Sequence, residues 1–325
     1  MSMPRTVCFI VIAAVIMALP MILGNYLMSI VILALFYGYL ALSWNIIGGI
    51  AGQLSLGHAA YFGIGAYCST ALLVHFGISP WLGMMAGAAL AAAAALVIGL
   101  PCFRLRGPYY ALATLAAAII LEVLVKNAHD FLGGPRGMSV PLLRDAPLYF
   151  QHTSKLFYYA IIVVFVVLAL AINRWILSSR FGYYLTAIRN DQEAAAALGV
   201  DAQRYKLKAA VLSGAMTGIG GTFYAQYVLY ISPHEVLGTS LSVQIAVLCI
   251  IGGRGTVWGP LLGALLLLPA EEVGRWMTGG MPGAAMMLYG ILVMVVIRFM
   301  PGGLVELPRI VPRLQRALKL ERTTS

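Results

Sequence analysis

Few side chains in this sequence have the types and spacing for chemistry, and their arrangement argues against bond breaking. The histidines are His58, His75, His129, His152 and His234, scattered so that spacing pairs none of them with a nucleophile. There is no G-x-x-x-x-G-K-[ST], the loop whose backbone cradles nucleotide phosphates. Neither H-E-x-x-H nor G-x-S-x-G occurs. Cys8, Cys68, Cys102 and Cys249 sit within or at the ends of apolar runs and form no C-x-x-C pair, so they read as small apolar packing groups. Three polar groupings remain. Gln53, Ser55 and His58 lie together in a glycine-rich stretch, 48–66. Glu122 and Lys126 are four apart near the end of an apolar run, the spacing of a helical ion pair. The third is the polar segment around Glu193.

The elements that must hold these groups are membrane helices. Of the 325 residues, 61% are hydrophobic and only 10% charged, against about 25% charged in a soluble domain. Mean hydropathy is +0.91. Runs near the ~20 apolar residues that cross a bilayer fall at 7–23, 27–47, 57–76, 81–101, 108–126, 156–174, 207–230, 238–251, 257–270 and 283–299. Backbone in lipid must satisfy its own hydrogen bonds, so these are helices, or half-helices at protein-lined sites. The expected fold class is an all-α polytopic membrane protein of about ten transmembrane helices; eight spans with re-entrant segments are the alternative. The run at 7–23 reads as a retained first span, because it outlasts a signal-peptide core and no A-x-A site follows it.

The net charge of +10 reflects basic cytoplasmic loops rather than nucleic-acid binding. Arg174, Arg180, Arg189, Arg204, Lys206 and Lys208 cluster in one segment, and Arg309, Arg313, Arg316, Lys319 and Arg322 in the tail. Ten spans place both clusters in the cytoplasm with the two termini. The chain thus reads as a single transmembrane domain over 1–325. It has an extracytoplasmic loop at 127–155, a cytoplasmic loop at 175–206 and a basic cytoplasmic tail at 300–325.

Within 175–206, Asp191 is an N-cap for a short helix, and Glu193 falls in its first turn, where a carboxylate meets the positive helix end. Four alanines follow, and Gly199 stops the helix. Either this is a solvated connection, or it is a small-sided helix able to enter a groove on a partner. In 48–66 the glycines allow close helix approach or a broken helix that presents backbone to a solute. That makes Gln53, Ser55 and His58 candidates for the lining of a pathway; the plainer reading is helix packing, with His58 bonded to a neighbouring helix. The same choice applies to Gly252 and Gly253, where Arg254 reads as an interface residue.

Four stretches together carry a family resemblance. Glu193-Ala194-Ala195, followed three residues later by Gly199, resembles the EAA loop of ABC-importer permeases. Ser43–His58, Gly107–Leu115 and Ile251–Pro260 resemble the signatures of high-affinity branched-chain amino acid permeases of the Liv type, the M subunit rather than the H subunit. Leu132 departs from the pattern, where a small hydroxyl residue is expected, and Tyr183 and Tyr184 are bulkier than usual before the loop. The resemblance implies an ABC-importer permease fold, with Arg189, Asp191, Glu193, Ala194, Ala195 and Gly199 in the coupling to ATPases. It implies a second, H-type permease, two ATP-binding subunits that hold the ATP and Mg, an extracytoplasmic solute-binding protein, and a bacterial inner membrane. The chain itself would carry no cofactor, no metal and no enzymatic activity, and would bind no nucleic acid. Leu, Ile and Val are the implied solutes, with urea, short amides and aromatic acids as alternatives. The competing class is an ion-gradient-driven secondary transporter. It would need buried carboxylates, whereas most acidic residues here fall in loops or near span ends.

Overall fold

The computed structural model describes residues 24–306 except 106, 143, 144, 280 and 301. The expected span at 7–23 and most of the basic tail lie outside the described residues. The helices are α1 (Asn25–Trp44), α2 (His58–Phe76), α3 (Pro80–Cys102), α4 (Pro108–Asn127), α5 (His129–Leu132), α6 (Lys155–Ser178) and α7 (Arg180–Asn190). They continue with α8 (Gln192–Ala197), α9 (Ala202–Val228), α10 (Pro233–Val236), α11 (Thr239–Gly253), α12 (Gly259–Met277) and α13 (Pro282–Phe299).

Six segments are long and apolar enough to cross a membrane: Asn25–Ile50, His58–Phe76, Pro80–Cys102, Pro108–Asn127, Lys155–Ser178 and Pro233–Gly253. The chain is therefore a helical, multi-pass protein, and the ten-span count is not confirmed among the described residues. Physical reasons account for two of the differences. α12 carries Glu271, Glu272 and Arg275. α9 has 27 residues but is diluted by Gly, Ser and Thr. It is the bundle's centre, packed on α2 and α3, and its Ser213, Thr217, Thr222 and Gln226 are fully buried. A helix walled by protein does not need a lipid-compatible surface.

Small residues let α9 sit that close. Gly65 on α2, Gly87 on α3 and Gly218 on α9 meet at one crossing, with Gly65 Cα 3.1 Å from where a Cβ on Gly87 would lie. Aromatic side chains fill the neighbouring layer: Phe36 of α1 stacks on Phe223 and Tyr224 of α9 at 5.6 and 5.8 Å.

The loop at 127–155 is tied to the end of α9 by a two-stranded antiparallel ribbon. β1 (Met138–Ser139) pairs with β2 (Tyr230–Ile231) in the register Met138↔Ile231. The departure at Leu132 has a packing outcome: it joins Leu121, Val125 and Phe131 around an apolar cavity of about 340 Å³.

α1 does not end in an ordinary turn. It widens into a π-helix over Asn45–Ile50, an insertion often found at functional sites. Residues 51–57 are then non-helical, with Ala51 and Ser55 buried. A buried loop needs partners for its backbone, and neighbouring helices supply them. Trp44 Nε1 donates to Ser55 O at 2.8 Å, Leu56 N to Thr114 Oγ1 of α4 at 3.1 Å, and Ala59 N to Ser242 Oγ of α11 at 2.8 Å.

Candidate functional site

The two regions singled out by the sequence, 48–58 and 187–200, are joined in the structure by one side chain. Arg189 ends α7 and donates from Nη1 to Gly49 O at 2.9 Å. The broken segment after α1 therefore lies at the end of the bundle that carries the 175–206 segment.

That segment folds as its local chemistry dictates. Asp191 has extended backbone and its Oδ1 accepts from Glu193 N at 2.9 Å and Ala194 N at 3.0 Å, capping α8. The helix ends with Gly199 at φ +84°. Gly199 N donates to Ala196 O at 2.9 Å and Val200 N to Ala195 O at 3.0 Å, the bonding pattern of a Schellman stop. Ala195 is buried with Ile188 and Ala202, and Val200 packs on them. Glu193 and Ala194 are exposed. Leu198, at 86% exposure, and Tyr183 of α7, at 68%, present apolar surface beside them; the sequence reading did not single out Leu198. Removing the cap with Asp191→Ala should destabilise α8 by about 0.5–2 kcal/mol. Hydrogen exchange at Glu193 and Ala194 should accelerate several-fold while α9 stays protected. Unchanged exchange would show that the cap does not hold the helix.

Around the break, Ser55, His58 and Ser213 bond one another. Ser213 Oγ donates to Ser43 O at 2.7 Å. Its oxygen can then only accept from His58 Nε2, 2.8 Å away. That assigns the proton to Nε2 and leaves Nδ1 to accept from Ser55 Oγ at 3.1 Å. His58 is thus a neutral, buried link between α2, α9 and the loop. Gln53 is half-buried beside it in sequence. Gly252 is buried where α11 meets α12, a Cβ there running into Gly259 O, and Gly253 has φ +126°. Gln53, Ser55 and His58 therefore share one segment, whereas Gly252 abuts Gly259 and Gly253 abuts Gly302 and Val305, and Arg254 is exposed. Glu122 and Lys126 pair at 2.6 Å, away from this cluster on α4.

Two asparagines lock the junction. Asn45, fully buried, donates from Nδ2 to Asn173 Oδ1 at 3.0 Å and Thr256 O at 2.9 Å, while its Oδ1 accepts from Gly255 N at 2.7 Å. Asn173 of α6 uses its own amide on Leu42 O and Ala169 O, at 3.1 and 2.9 Å. Both amide orientations follow from these partners. The signal for Asn173 was present as a lone amide in an otherwise apolar run. Among the described residues no group of His, Cys, Asp and Glu could hold a metal ion. The arrangement is a break in the bundle, polar and glycine-lined, linked through Arg189 to an exposed, capped helix.

Comparison with known proteins agrees with this architecture. The family model described as "Branched-chain amino acid transport system / permease component" matches residues 26–297. The chain is similar to the high-affinity branched-chain amino acid transport system permease protein LivM of Escherichia coli K12: 29% identical over 314 residues, covering 90% of this chain and 73% of that protein. It is 24% identical to the probable LivM of Methanocaldococcus jannaschii over 84% of this chain and 85% of that protein. With LivH of Escherichia coli K12 it shares 26% identity over 73% of this chain and 81% of that protein. No solved structure matches. With the family model spanning most of the sequence, and LivM matching more of it than LivH does, the chain belongs to the branched-chain amino acid transport permeases, in the LivM-type branch.

Proposed function

We propose that this chain is one permease subunit of an ATP-binding cassette importer that brings branched-chain amino acids across a bacterial inner membrane. The observation that carries the reading is α8: a capped, six-residue helix held between α7 and α9, with Glu193, Ala194 and Leu198 turned outward. A short stiff helix with alanines on its exposed side can enter a groove on a partner closely, and Leu198 supplies apolar area to bury there. ATP would be bound and hydrolysed by two partner subunits, with a second, H-type permease completing the pathway and a solute-binding protein delivering cargo outside. N- and C-termini would both be cytoplasmic. Movement imposed on α8 would pass to the segment holding Gln53, Ser55 and His58. Solute moves inward only if it binds the outward- and inward-open states with different affinity.

The test is ATPase activity in proteoliposomes containing the four membrane-associated subunits, with solute-binding protein loaded with leucine or, separately, urea. Leucine-loaded protein should stimulate hydrolysis severalfold, and Glu193→Arg should remove most of that stimulation, because it puts a cation at the positive end of α8 and on the docking face. Stimulation by urea alone would replace the solute class. Uptake driven by an ion gradient without ATP would replace the importer reading with secondary transport.

A further inference from the structure

Arg189 is the last basic residue before α8, and although the residue is exposed its guanidinium turns back toward the end of α1. Nη1 bonds Gly49 O in the π-helix at 2.9 Å. The route to that bond is walled by glycine on both sides. Gly52 sits at φ +71°, and a Cβ there would run into Arg189 Cγ and lie 3.1 Å from its Cβ and Cδ. On the opposite wall, a Cβ on Gly255 would lie 2.6 Å from Arg189 Nη1 and 3.1 Å from Gly49 O. The two walls come from segments some two hundred residues apart, and Asn45 clamps them together through Gly255 N at 2.7 Å.

We propose that Arg189 is a transmission strut: a positioning residue that carries displacement of α8 into the π-helix and so moves the segment bearing Gln53, Ser55 and His58. The proposal rests on the importer reading above. Three physical points support it. Arg189 lies in the last turn of α7, two residues before the Asp191 cap, so displacement of α8 reaches it across a two-residue connection. The planar guanidinium is rigid and long, and a slot of glycine backbone leaves its stem little freedom to absorb that motion. The guanidinium is held by one neutral carbonyl and the residue is otherwise exposed, so its remaining donors face water and can re-pair without a desolvation cost when α8 moves.

The experiment uses the complete reconstituted complex and two readouts: solute taken up per ATP hydrolysed, and a spin-label distance between Leu54, just past the π-helix, and Leu82 on α3, both exposed. In the parent protein the Leu54–Leu82 distance should shift between ADP-bound and ATP-trapped states. Arg189→Gln, which removes the reach and the charge, should leave ATPase binding and hydrolysis in place, abolish the distance shift, and lower uptake per ATP tenfold or more. Arg189→Lys, which threads the same slot with one donor, should recover part of the coupling. If Arg189→Gln couples like the parent, or instead loses ATPase binding as a docking residue would, the strut is overturned while the importer reading stands. If Arg189→Gln does not fold, the parent alone decides: an unchanged Leu54–Leu82 distance through the nucleotide cycle overturns the proposal. If the parent binds no ATPase, the importer reading fails and the strut falls with it.

Discussion

Gly65→Val is expected to eliminate the folded protein rather than weaken it. Gly65 faces the backbone of α9, and a Cβ there would run into the Gly218 carbonyl. Overpacking a core usually costs about 1–3 kcal/mol because neighbouring side chains shift to make room. Here the obstacle is main chain, which has no rotamer to change. Moving α9 away from α2 is no remedy, because Gly218 also packs against α3: a Cβ on Gly218 would lie 2.7 Å from Ala91 Cβ and 3.1 Å from Gly87 O. Gly218 thus abuts α2 and α3 at once, so shifting α9 off one disturbs its packing on the other. Without close approach, the buried Ser213 and Thr217 lose the walls that keep them from lipid. The expected result is no monodisperse peak on size-exclusion chromatography of the solubilised protein. Gly283→Ala, at a position with nothing within 4 Å, should match the parent. A Gly65→Val protein with parental yield and melting would show that α2, α3 and α9 do not cross at this point.

The parts of the fold that were legible in the sequence are those fixed by local chemistry. Asp191, Glu193, four alanines and Gly199 specify a capped short helix whatever surrounds it, and α8 forms there. The apolar runs within the described residues likewise became helices at nearly the expected positions. What was hidden depends on residues distant in sequence. Hydropathy understates α9, since a helix enclosed by protein takes Gly, Ser and Thr where a lipid-facing one needs Leu and Val. His58 could be placed near Ser55 by spacing, but its bond to Ser213 spans 155 positions. Arg189 was grouped with the coupling residues by the family resemblance. Its inward direction is set by Gly49, Gly52 and Gly255, and no single window of sequence contains that slot.

Asn45→Asp tests the lock on that slot with a change of a single atom. The aspartate keeps an oxygen to accept from Gly255 N but replaces the Nδ2 donor with another oxygen. That oxygen would face Asn173 Oδ1 and Thr256 O, the two acceptors Nδ2 now serves at 3.0 and 2.9 Å. A side-chain hydrogen bond within a membrane bundle contributes about 0.6 kcal/mol on average and up to ~1.7 kcal/mol. Removing a donor and leaving buried acceptors unsatisfied costs about 1–3 kcal/mol for each. Two stranded acceptors therefore cost roughly 2–6 kcal/mol together, before any cost of burying a charge. Asn45→Leu should cost less, because it removes the donor without adding a repelling oxygen, although it strands Gly255 N. The predicted order of melting temperature is parent, then Asn45→Leu, then Asn45→Asp. Asn45→Leu combined with Asn173→Leu should lose less than the sum of the two single changes, since each strands the other's partner. Equal melting for Asn45→Asp and the parent would show that Nδ2 makes neither bond. The consequence for function is specific. Asn45 is the only described contact that joins Gly255 to the π-helix through a side-chain amide, so loosening it widens the slot in which Arg189 is seated, and uptake per ATP should fall in Asn45→Leu even where the protein still folds and its ATPases still bind.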